Sequence, residues 1–401
     1  MVQLACGAKA PAGRRRIAAP ELPRTGAEGT QDGETMANAI KIIHTADLHL
    51  GMQPEKGLPI GRERAREIAE TLSRLVSVCN EEDADLLLIA GDVFHKGPLV
   101  RELKDVAYQF GKLRRTCVVL IAGNHDYISA RSNYLSWIAD NRYRPEDAAE
   151  GSRVTMLSEE EITHVAFPEL RTTVYGMSYH TQEVEEPIYD DVIPTGDGIR
   201  ILLAHGGSPN DAPIDRKRIA GNGWDYVALG HIHKPEIIAP NMAFAGSPEP
   251  LNRNETGPHG YMRVVITEKD DGTRETACEL VPFAVREYKD IEISLTAETT
   301  AGSLRDEIAA AIAADGGNNL YRIFLTGRRD ADFRPDTETL SALPNVTEII
   351  DRTLPQFDLE ALRTANADNL IGMFIDALAE RAKTDEVAEK ALYYGLTALR
   401  K

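Results

Sequence analysis

The chain has 401 residues, enough for two or three domains, and its 27% charged and 6% aromatic residues are typical of a globular protein. A formal net charge of −18 argues against a protein covered in basic charge for binding nucleic acid, although a local basic groove or bound metal ions remain compatible with it. The four cysteines form no CxxC pair and no apolar run approaches the roughly 18 residues that span a bilayer, so we expect a reducing, cytoplasmic setting without disulfides or a membrane partner.

The first segment, residues 1–38, is rich in Gly, Ala, Pro and Arg and shows little apolar pattern, so we expect it to be disordered. The three arginines at 14–16 are compatible with a targeting signal, but no apolar stretch follows them, which argues against a secretory one. Met36 stands just before the first predicted strand and is an alternative start of the protein.

The next part of the chain alternates short apolar runs with amphipathic segments. Helical spacing of apolar residues predicts helices over about 65–79 and 99–113, between predicted strands at 40–46, 85–90 and 117–122. This alternation predicts βαβ units and a mainly parallel sheet. Further strands are predicted at 172–177, 201–204 and 225–229, followed by three antiparallel strands at 242–245, 261–267 and 276–283. We therefore expect an α/β fold with a β-sandwich flanked by helices.

A change of composition near Val285 predicts a second domain. The predicted strands in it lie at 291–295, 320–325 and 346–351. Ser303-Leu304-Arg305-Asp306 resembles a capping box at the start of an alanine-rich helix. Residues from about 359 onward are predicted to be helical, and the last two helices carry apolar stripes that pack either on their own domain or on a partner: Leu370, Phe374 and Leu378, then Val387, Ala391 and Tyr394.

Polar groups follow five of the predicted strands, at the edge where open α/β sheets bind ligands. They are Asp47-x-His49, Gly91-Asp92, Gly123-Asn124-His125-Asp126, His205-Gly206 and Gly230-His231-x-His233. Asp92 follows a continuous apolar strand, and its two carboxylate oxygens allow it to bridge two metal ions. Each group alone is weak evidence. Together they predict a dinuclear metal site whose oxygen and imidazole ligands suit manganese or iron, with zinc as an alternative.

The order and spacing of these motifs resemble the calcineurin-like metallophosphoesterase superfamily over about residues 40–285. The resemblance implies a four-layer β-sandwich, two divalent ions and hydrolysis of a phosphoester. It implies one ion held by Asp47, His49, Asp92 and His233, and a second held by Asp92, Asn124, His205 and His231. It also implies that His125 stabilises the transition state or protonates the leaving oxygen, with Asp126 as the group that orients His125.

Within this superfamily the sequence resembles the SbcD-type DNA repair exonucleases. The resemblance lies in Gly91-Asp92-Val93-Phe94-His95, Gly123-Asn124-His125-Asp126 and Gly246-Ser247-Pro248-Glu249. It implies that His95 contacts the substrate phosphate. After the segment at 1–38, which a typical SbcD lacks, it further implies a catalytic domain at 39–284, a small α+β capping domain at 285–355 that helps DNA enter the site, and a C-terminal helical segment at 356–401 that holds an SbcC-like, SMC-type ATPase.

Three hypotheses follow from these features. The first is a metal-dependent nuclease that acts on DNA ends with an SMC-type ATPase partner. A homodimer is a further alternative for its assembly. The second is a phosphodiesterase or phosphatase for a small nucleotide or a phosphoprotein, which the acidic composition favours. The third is a scaffold that keeps the fold without catalysis, and the intact metal motifs argue against it.

Overall fold

The computed structural model describes residues 15–16, 38–141 and 153–400, and it divides into two compact units. The first unit comprises the described residues up to Leu251 together with Pro258–Val285, and the second comprises Asn252–Gly257 and the residues from Arg286 onward. The segment at 1–38, expected to be disordered, lies outside the described residues except for Arg15, Arg16 and Asn38. Within the described ranges, no helix is both long and apolar enough to cross a bilayer.

The first unit is built from many short strands and a few helices. Its strands are β1 Arg15–Arg16, β2 Asn38–Thr45, β3 Leu86–Ala90, β4 Cys117–Ile121, β5 Val154–Met156, β6 Thr163–Phe167, β7 Thr172–Gly176, β8 Val192–Ile193, β9 Ile199–His205, β10 Tyr226–Gly230, β11 Glu236–Ala239, β12 Met242–Phe244, β13 Gly260–Glu268 and β14 Arg274–Pro282. Its α-helices are α1 Gly61–Glu81, α2 Val100–Phe110, α3 Tyr134–Asn141 and α4 Arg216–Ala220, and a 3₁₀-helix covers Pro168–Leu170.

Two six-stranded sheets form the centre of this unit. The first has the order β14-β13-β2-β3-β4-β5, in which β2 to β5 run parallel and β13 and β14 run antiparallel to their neighbours. The second has the order β11-β12-β10-β9-β7-β6, with an antiparallel strand at each edge. The predicted parallel units are therefore confirmed, and a separate two-stranded ladder pairs β1 with β8.

One predicted pairing is wrong. The segment predicted as an antiparallel strand at 242–245 forms β12, which pairs in parallel with β10 in the second sheet. The reason is the edge strand β11, which was not predicted. The chain forms β11 first and then turns back, so that β12 lies between β11 and β10. The antiparallel pairing predicted for the next two strands holds for β13 and β14.

The two sheets pack face to face, and the outer faces are covered as well. β3 and β4 are buried at every residue, as expected for strands covered on both sides. On the inner side Leu88 shares one apolar core with Leu203 of the second sheet, while on the outer side Ile89 shares another with Leu72 of α1. The outer face of the second sheet forms a third core that includes Ile219 of α4. The predicted α/β class and four-layer sandwich are confirmed for this unit.

The second unit is smaller and its described strands are parallel. The strands are β15 Tyr288–Leu295, β16 Leu320–Asp330, β17 Val346–Asp351 and β18 Leu354–Gln356, with β15, β17 and β18 all paired to β16. The α-helices are α5 Ala301–Ala314, α6 Thr337–Ser341, α7 Leu359–Ala365, α8 Leu370–Leu378 and α9 Glu386–Leu399, and a 3₁₀-helix covers Arg381–Lys383. The predicted division of this region into a capping domain at 285–355 and a helical segment at 356–401 stays a prediction.

Helix α5 covers one side of this sheet, with Leu304 and Ile308 in the same core as Ile323. The predicted capping box is displaced by three residues. Thr300 is the cap: its Oγ1 accepts from the Ser303 N–H at 3.1 Å, and the Thr300 N–H donates to Ser303 Oγ at 2.9 Å. The helix begins at Ala301 because Thr300 and Ser303 form the two reciprocal hydrogen bonds of the capping box. Ser303 therefore has the second position of the box, which the sequence pattern gave to Asp306.

A short segment from the middle of the chain, Asn252–Gly257, belongs to this second unit. Asn254 Oδ1 accepts from the Arg322 guanidinium at 3.0 Å, and Arg253 lies 3.4 Å from the Glu348 carboxylate. Thr256 forms a β-bridge with Tyr288 at the start of β15. The second unit is therefore not a continuous stretch of the chain.

In the first unit, a buried ion network ties α1 to the Gly-Ser-Pro-Glu segment. Arg64 is completely buried and donates to Glu249 Oε2 at 3.2 Å and to the Pro250 carbonyl at 2.9 Å, while also pairing with Glu67. The other oxygen of Glu249 accepts from Arg74 at 2.8 Å and from the Val285 N–H at 3.0 Å. Glu249, which the sequence analysis noted only as part of a motif, is thus a structural anchor.

We predict that Glu249→Ala lowers the free energy of unfolding by about 3 kcal/mol, since it leaves Arg64 buried without one of its carboxylates. This loss of stability is at the lower end of the range for breaking a buried ion pair, because Glu67 still pairs with Arg64. The matched control is Glu236→Ala, which removes an exposed pair with Arg216 and should cost less than about 1 kcal/mol. Urea denaturation followed by circular dichroism measures both, and equal losses would contradict the assignment.

Candidate metal centre

The carboxyl ends of β2 and β3 are joined by backbone hydrogen bonds. The Asp47 N–H donates to the Gly91 carbonyl at 3.1 Å, and the His49 N–H donates to the Asp92 carbonyl at 3.0 Å. Asp47, His49 and Asp92 all have left-handed backbones, with φ of 52°, 45° and 52°. Such backbones are uncommon outside glycine and concentrate at functional sites. The two loops therefore hold their polar side chains in one fixed arrangement.

Asp92 lies at the centre of the cluster and is 1% exposed. Its Oδ2 atom is 3.5 Å from Nε2 of His49, in the loop after β2 of the first sheet, and 3.7 Å from Nε2 of His205, at the end of β9 in the second sheet. Its Oδ1 atom accepts a hydrogen bond from the His125 N–H at 2.9 Å. One carboxylate thus faces histidines from both sheets, which is the geometry a bridging ligand requires.

The remaining candidate ligands fall on the two sides of Asp92. On one side, ligand atoms of Asp47, His49 and His233 lie within 4.8 Å of one another, and the Nε2 atoms of the two histidines are 3.2 Å apart. On the other side, Asn124 Oδ1 lies 3.0 Å from His205 Nε2 and 3.3 Å from His231 Nδ1. The structure brings together all seven residues predicted as metal ligands.

The protonation of these groups fits a divalent cation. Burial lowers the pKa of His205 and of His231 to about 4, and burial with the neighbouring histidines lowers the pKa of His49 far below its usual range. These imidazoles are therefore neutral near pH 7. The Nδ1–H of His205 donates to the Ala90 carbonyl at 2.8 Å, which leaves the Nε2 lone pair for a metal. Burial raises the pKa of Asp92 to about 6, a cost that a bound cation would offset.

His125 and His95 lie beside the ligand cluster. His125 is exposed, its Nδ1 is 3.3 Å from the His95 carbonyl, and its ring is stacked on the His95 ring with centroids 5.3 Å apart. His95 Nδ1 lies 3.4 Å from His49 Nδ1. Because nitrogens of His49, His95 and His125 also lie within 4.8 Å of one another, both outer histidines are close enough to act on a group held at the cluster.

Comparison with known proteins matches residues 40–235 to the family of calcineurin-like phosphoesterases. This part of the chain is a calcineurin-like metallophosphoesterase domain. The match includes each of the seven predicted ligands, since they lie between Asp47 and His233.

Two relatives resemble more of the chain. It is 27% identical over 262 residues to the uncharacterized metallophosphoesterase YhaO of Bacillus subtilis, covering 59% of this chain and 59% of that protein. It is 28% identical over 263 residues to the DNA double-strand break repair protein Mre11 of Methanopyrus kandleri, covering 58% of this chain and 55% of that protein. The chain thus spans less than two thirds of either relative. A solved structure, TT1561 of Thermus thermophilus, matches 60% of this chain and 98% of its own length at 12% identity with a TM-score of 0.34.

In this metallophosphoesterase domain Asp126 has a role other than the expected one. Its buried carboxylate accepts hydrogen bonds from the N–H groups of Phe94 and Gly123 at 3.1 and 2.9 Å and from the Tyr134 hydroxyl at 2.7 Å. Those bonds join the loops after β3 and β4 to α3. Asp126 therefore fixes the loop that carries His125, and its described hydrogen bonds include none to the His125 ring.

Sequence reasoning missed one carboxylate near the centre. Asp211, in the loop after β9, places its Oδ2 atom 3.7 Å from His231 Nδ1. It follows no strand directly and stands in no motif, so the sequence offered no signal for it. His44, by contrast, is buried and lies away from the cluster's motifs: its Nδ1 is 2.9 Å from the Tyr226 hydroxyl, a contact that links the two sheets.

Three glycines allow the loops to approach this closely. A Cβ at Gly91 would lie 2.3 Å from His205 Nδ1, and one at Gly230 would lie 1.9 Å from the Ala90 carbonyl oxygen. A Cβ at Gly123 would lie 2.3 Å from Asp92 Oδ1 and 2.6 Å from His205 Nε2. Gly91 and Gly123 are therefore required by the packing of the ligands, and Gly230 by the close approach of the two sheets.

We predict that Gly123→Ala weakens metal binding by displacing Asp92 and His205, because real Cβ atoms do not approach side chains at 2.3 Å. Gly221→Ala is the matched control, since its Cβ meets nothing closer than 3.5 Å and its φ is −82°. Metal content per chain after dialysis, measured by mass spectrometry, distinguishes the two. Full metal content in Gly123→Ala would show that the cluster does not bind metal where we place it.

Proposed function

We propose that this protein is a dinuclear metal-dependent phosphodiesterase that degrades DNA from its ends, a nuclease subunit of the SbcD type. The observation that carries the proposal is the position of Asp92, whose Oδ2 atom lies within 3.7 Å of histidine nitrogens from both sheets. Burying a carboxylate beside neutral imidazoles is costly unless a positive charge pairs with it, and two bound cations would supply that charge.

The ligand sets implied by the sequence fit the two sides of this carboxylate. Asp47, His49, Asp92 and His233 would hold one ion, and Asp92, Asn124, His205 and His231 would hold the other. Hard oxygen ligands mixed with imidazole favour manganese, with iron and zinc as alternatives. Two bound ions would polarise the phosphoryl group and activate a water molecule near neutral pH.

We assign His125 as the acid that protonates the leaving oxygen. Its Nδ1 faces the His95 carbonyl at 3.3 Å, so Nδ1–H donates there and Nε2 carries the proton that is exchanged. The ring is exposed, as a group that meets substrate must be. We assign His95, whose ring is stacked on that of His125, as the contact to a phosphate oxygen.

DNA is supported as the substrate by the similarity to the Mre11 protein, whose name states a role in DNA double-strand break repair. A second candidate, hydrolysis of a small phosphodiester such as a nucleotide, is favoured by one observation. A cavity of about 660 Å³ borders Asn124 and His231 and is also lined by Glu183, Glu185 and Asp211. These carboxylates would repel any phosphate beyond the one at the metal ions, and so favour a compact substrate that carries a single phosphate group.

We predict that the purified protein shortens end-labelled duplex DNA only when Mn²⁺ is present, and that Asp92→Ala abolishes both cleavage and metal binding. His125→Ala should keep both ions and lose roughly 10²- to 10⁴-fold in turnover, as expected for loss of a general acid. Gel electrophoresis of the DNA, hydrolysis of bis-p-nitrophenyl phosphate and metal analysis provide the measurements.

The outcomes separate the candidates. Hydrolysis of the chromogenic diester without cleavage of DNA would favour the small-substrate enzyme. Loss of one metal equivalent in His125→Ala would make this histidine a ligand. No hydrolysis of either substrate by the metal-loaded protein would favour the scaffold without catalysis.

We also propose that the C-terminal helices bind an SMC-like ATPase in the cytoplasm. In α8 and α9, Ile375, Leu392 and Leu396 form a core, whereas Leu370 is 64% exposed and Val387 is 75% exposed. Exposed apolar side chains on adjacent helices suit helix-in-groove recognition.

The three described cysteines, Cys79, Cys117 and Cys278, are free thiols, which supports a reducing compartment.

We predict that a Leu370→Ser, Val387→Ser variant no longer co-purifies with an SMC-like ATPase from its own cell while its diesterase activity stays unchanged. Substitution is preferable to truncation because Arg328 of β16 pairs with Glu389 of α9 and stacks on Tyr393, so the helix contributes to the second unit. Leu135→Ser, at a 49% exposed position of the first unit, is the control. Unchanged co-purification would show that these side chains are not the contact, and a change in sedimentation would indicate a homodimer there instead.

A further inference from the structure

His205 lies at the end of β9, beyond the point where one of the two neighbouring strands stops. The Gly206 N–H donates to the Gly230 carbonyl of β10 at 3.4 Å, so the N–H and C=O groups of His205 point to the opposite edge of the strand. On that edge β7 ends at Gly176, which pairs with Leu203, two residues before His205. The buried backbone of this candidate ligand therefore needs hydrogen-bond partners other than β7.

The hydroxyl of Tyr189 provides both partners. It accepts from the His205 N–H at 3.2 Å and donates to the His205 carbonyl at 3.1 Å. Because a tyrosine hydroxyl is a donor and an acceptor at once, the two bonds form together. The Tyr179 hydroxyl lies 3.0 Å from the same carbonyl. The carbonyl thus has two donors, whereas among the described residues the N–H has Tyr189 as its acceptor.

Tyr189 itself is fixed on the outer face of the second sheet. Its side chain is completely buried, in the same apolar core as Ile219 of α4 and Trp224. It begins a turn in which the Val192 N–H donates to the Tyr189 carbonyl at 3.2 Å, and the Asn222 side chain donates to the Val192 carbonyl at 3.1 Å. The hydroxyl is therefore held in one place from which to bind the end of β9.

The imidazole of His205 has little room to follow a displaced backbone. Its Nδ1–H donates to the Ala90 carbonyl at 2.8 Å. A Cβ at Gly91 would lie 2.3 Å from its Nδ1, and one at Gly123 would lie 2.6 Å from its Nε2, so the ring packs directly against both glycines. A shift of the His205 backbone would therefore misplace Nε2 relative to Asp92 Oδ2, which lies 3.7 Å from it.

We propose that Tyr189 is a positioning residue for one metal ion, because its hydroxyl takes the place of a strand partner for His205 and so fixes where Nε2 lies. The proposal rests on the two-metal function proposed above and names a residue outside the ligand motifs. The ion concerned is the one assigned to Asp92, Asn124, His205 and His231. Loss of the hydroxyl should weaken the binding of this ion and spare the other, to which His205 is not assigned.

The test compares Mn²⁺ binding by calorimetry in the full-length wild type and in Tyr189→Phe. Phenylalanine keeps the buried ring and removes the hydroxyl that holds His205. Loss of a group that orients a ligand weakens metal affinity by about 10- to 100-fold. We expect one of two Mn²⁺ equivalents to bind about tenfold more weakly, since the Tyr179 hydroxyl still reaches the carbonyl, and the other to be unchanged. At two equivalents, the electron paramagnetic resonance spectrum should change from that of a coupled pair towards that of a single ion plus free Mn²⁺.

A second measurement needs no metal. In the metal-free protein, hydrogen exchange followed by mass spectrometry should be faster in Tyr189→Phe for the peptide that contains His205. The reason is that an amide without its acceptor is less protected from exchange.

Two other tyrosines provide matched controls. Tyr175→Phe also removes a buried hydroxyl from the second sheet, one that donates to the Thr195 carbonyl at 2.7 Å, and it should leave both Mn²⁺ affinities and the exchange of the His205 peptide unchanged. Tyr179→Phe removes one donor to the His205 carbonyl but leaves both bonds of Tyr189, so we expect a smaller loss of affinity at the same site.

The outcomes that overturn the proposal are distinct. Wild-type protein that binds no Mn²⁺ overturns the two-metal function and the role of Tyr189 with it. If the wild type binds two ions, unchanged affinities in Tyr189→Phe overturn only the role of Tyr189. Equal weakening of both sites with a lower melting temperature shows that Tyr189 merely supports the fold. An equal loss in Tyr179→Phe or Tyr175→Phe shows that the hydroxyl of Tyr189 has no particular part in placing His205.

Discussion

The close approach of five strand ends at Asp92 is the constraint on which the rest of the first unit depends. His205 at the end of β9 donates to the carbonyl of Ala90, and the His231 N–H donates to Asp47, so the second sheet is bonded to the first at this edge. The apolar layer between the sheets sets their separation, and these bonds set their register. A shift of either sheet would therefore separate the proposed ligands before it exposed the core.

This approach has an energetic cost that the surrounding fold offsets. Asp47, His49, Asp92 and His231 all have positive φ, and such backbones cost of order 1–3 kcal/mol each. The adjoining strands are buried at every residue, which provides the apolar stabilisation needed to keep these conformations. The backbone of the protein therefore contributes to positioning the ligands.

The sequence was sufficient for what depends on local pattern. The continuous apolar runs of β3 and β4 and the polar residues after them predicted both the parallel sheet and the place of Asp92, because the carboxyl ends of parallel strands meet at one edge. It was insufficient where long-range packing decides. The edge strand β11 precedes β12 and leaves it beside β10 in the second sheet. The Tyr134 hydroxyl donates to Asp126, whose carboxylate therefore fixes a loop. Asp211 lies 3.7 Å from His231 because of a turn that no motif marks.

The discontinuity of the second unit affects how the chain folds during synthesis. The segment Asn252–Gly257 leaves the ribosome before the strands that it contacts, and Glu348, which pairs with Arg253, follows it by 95 residues. At a translation rate of about 5–20 residues per second, that interval is roughly 5–20 s. During this interval the first unit is able to fold while the residues of the second unit that contact Asn252–Gly257 have not yet been synthesised. The order of translation therefore favours completion of the metal-binding sandwich first, with this loop left as the site at which the second unit later assembles.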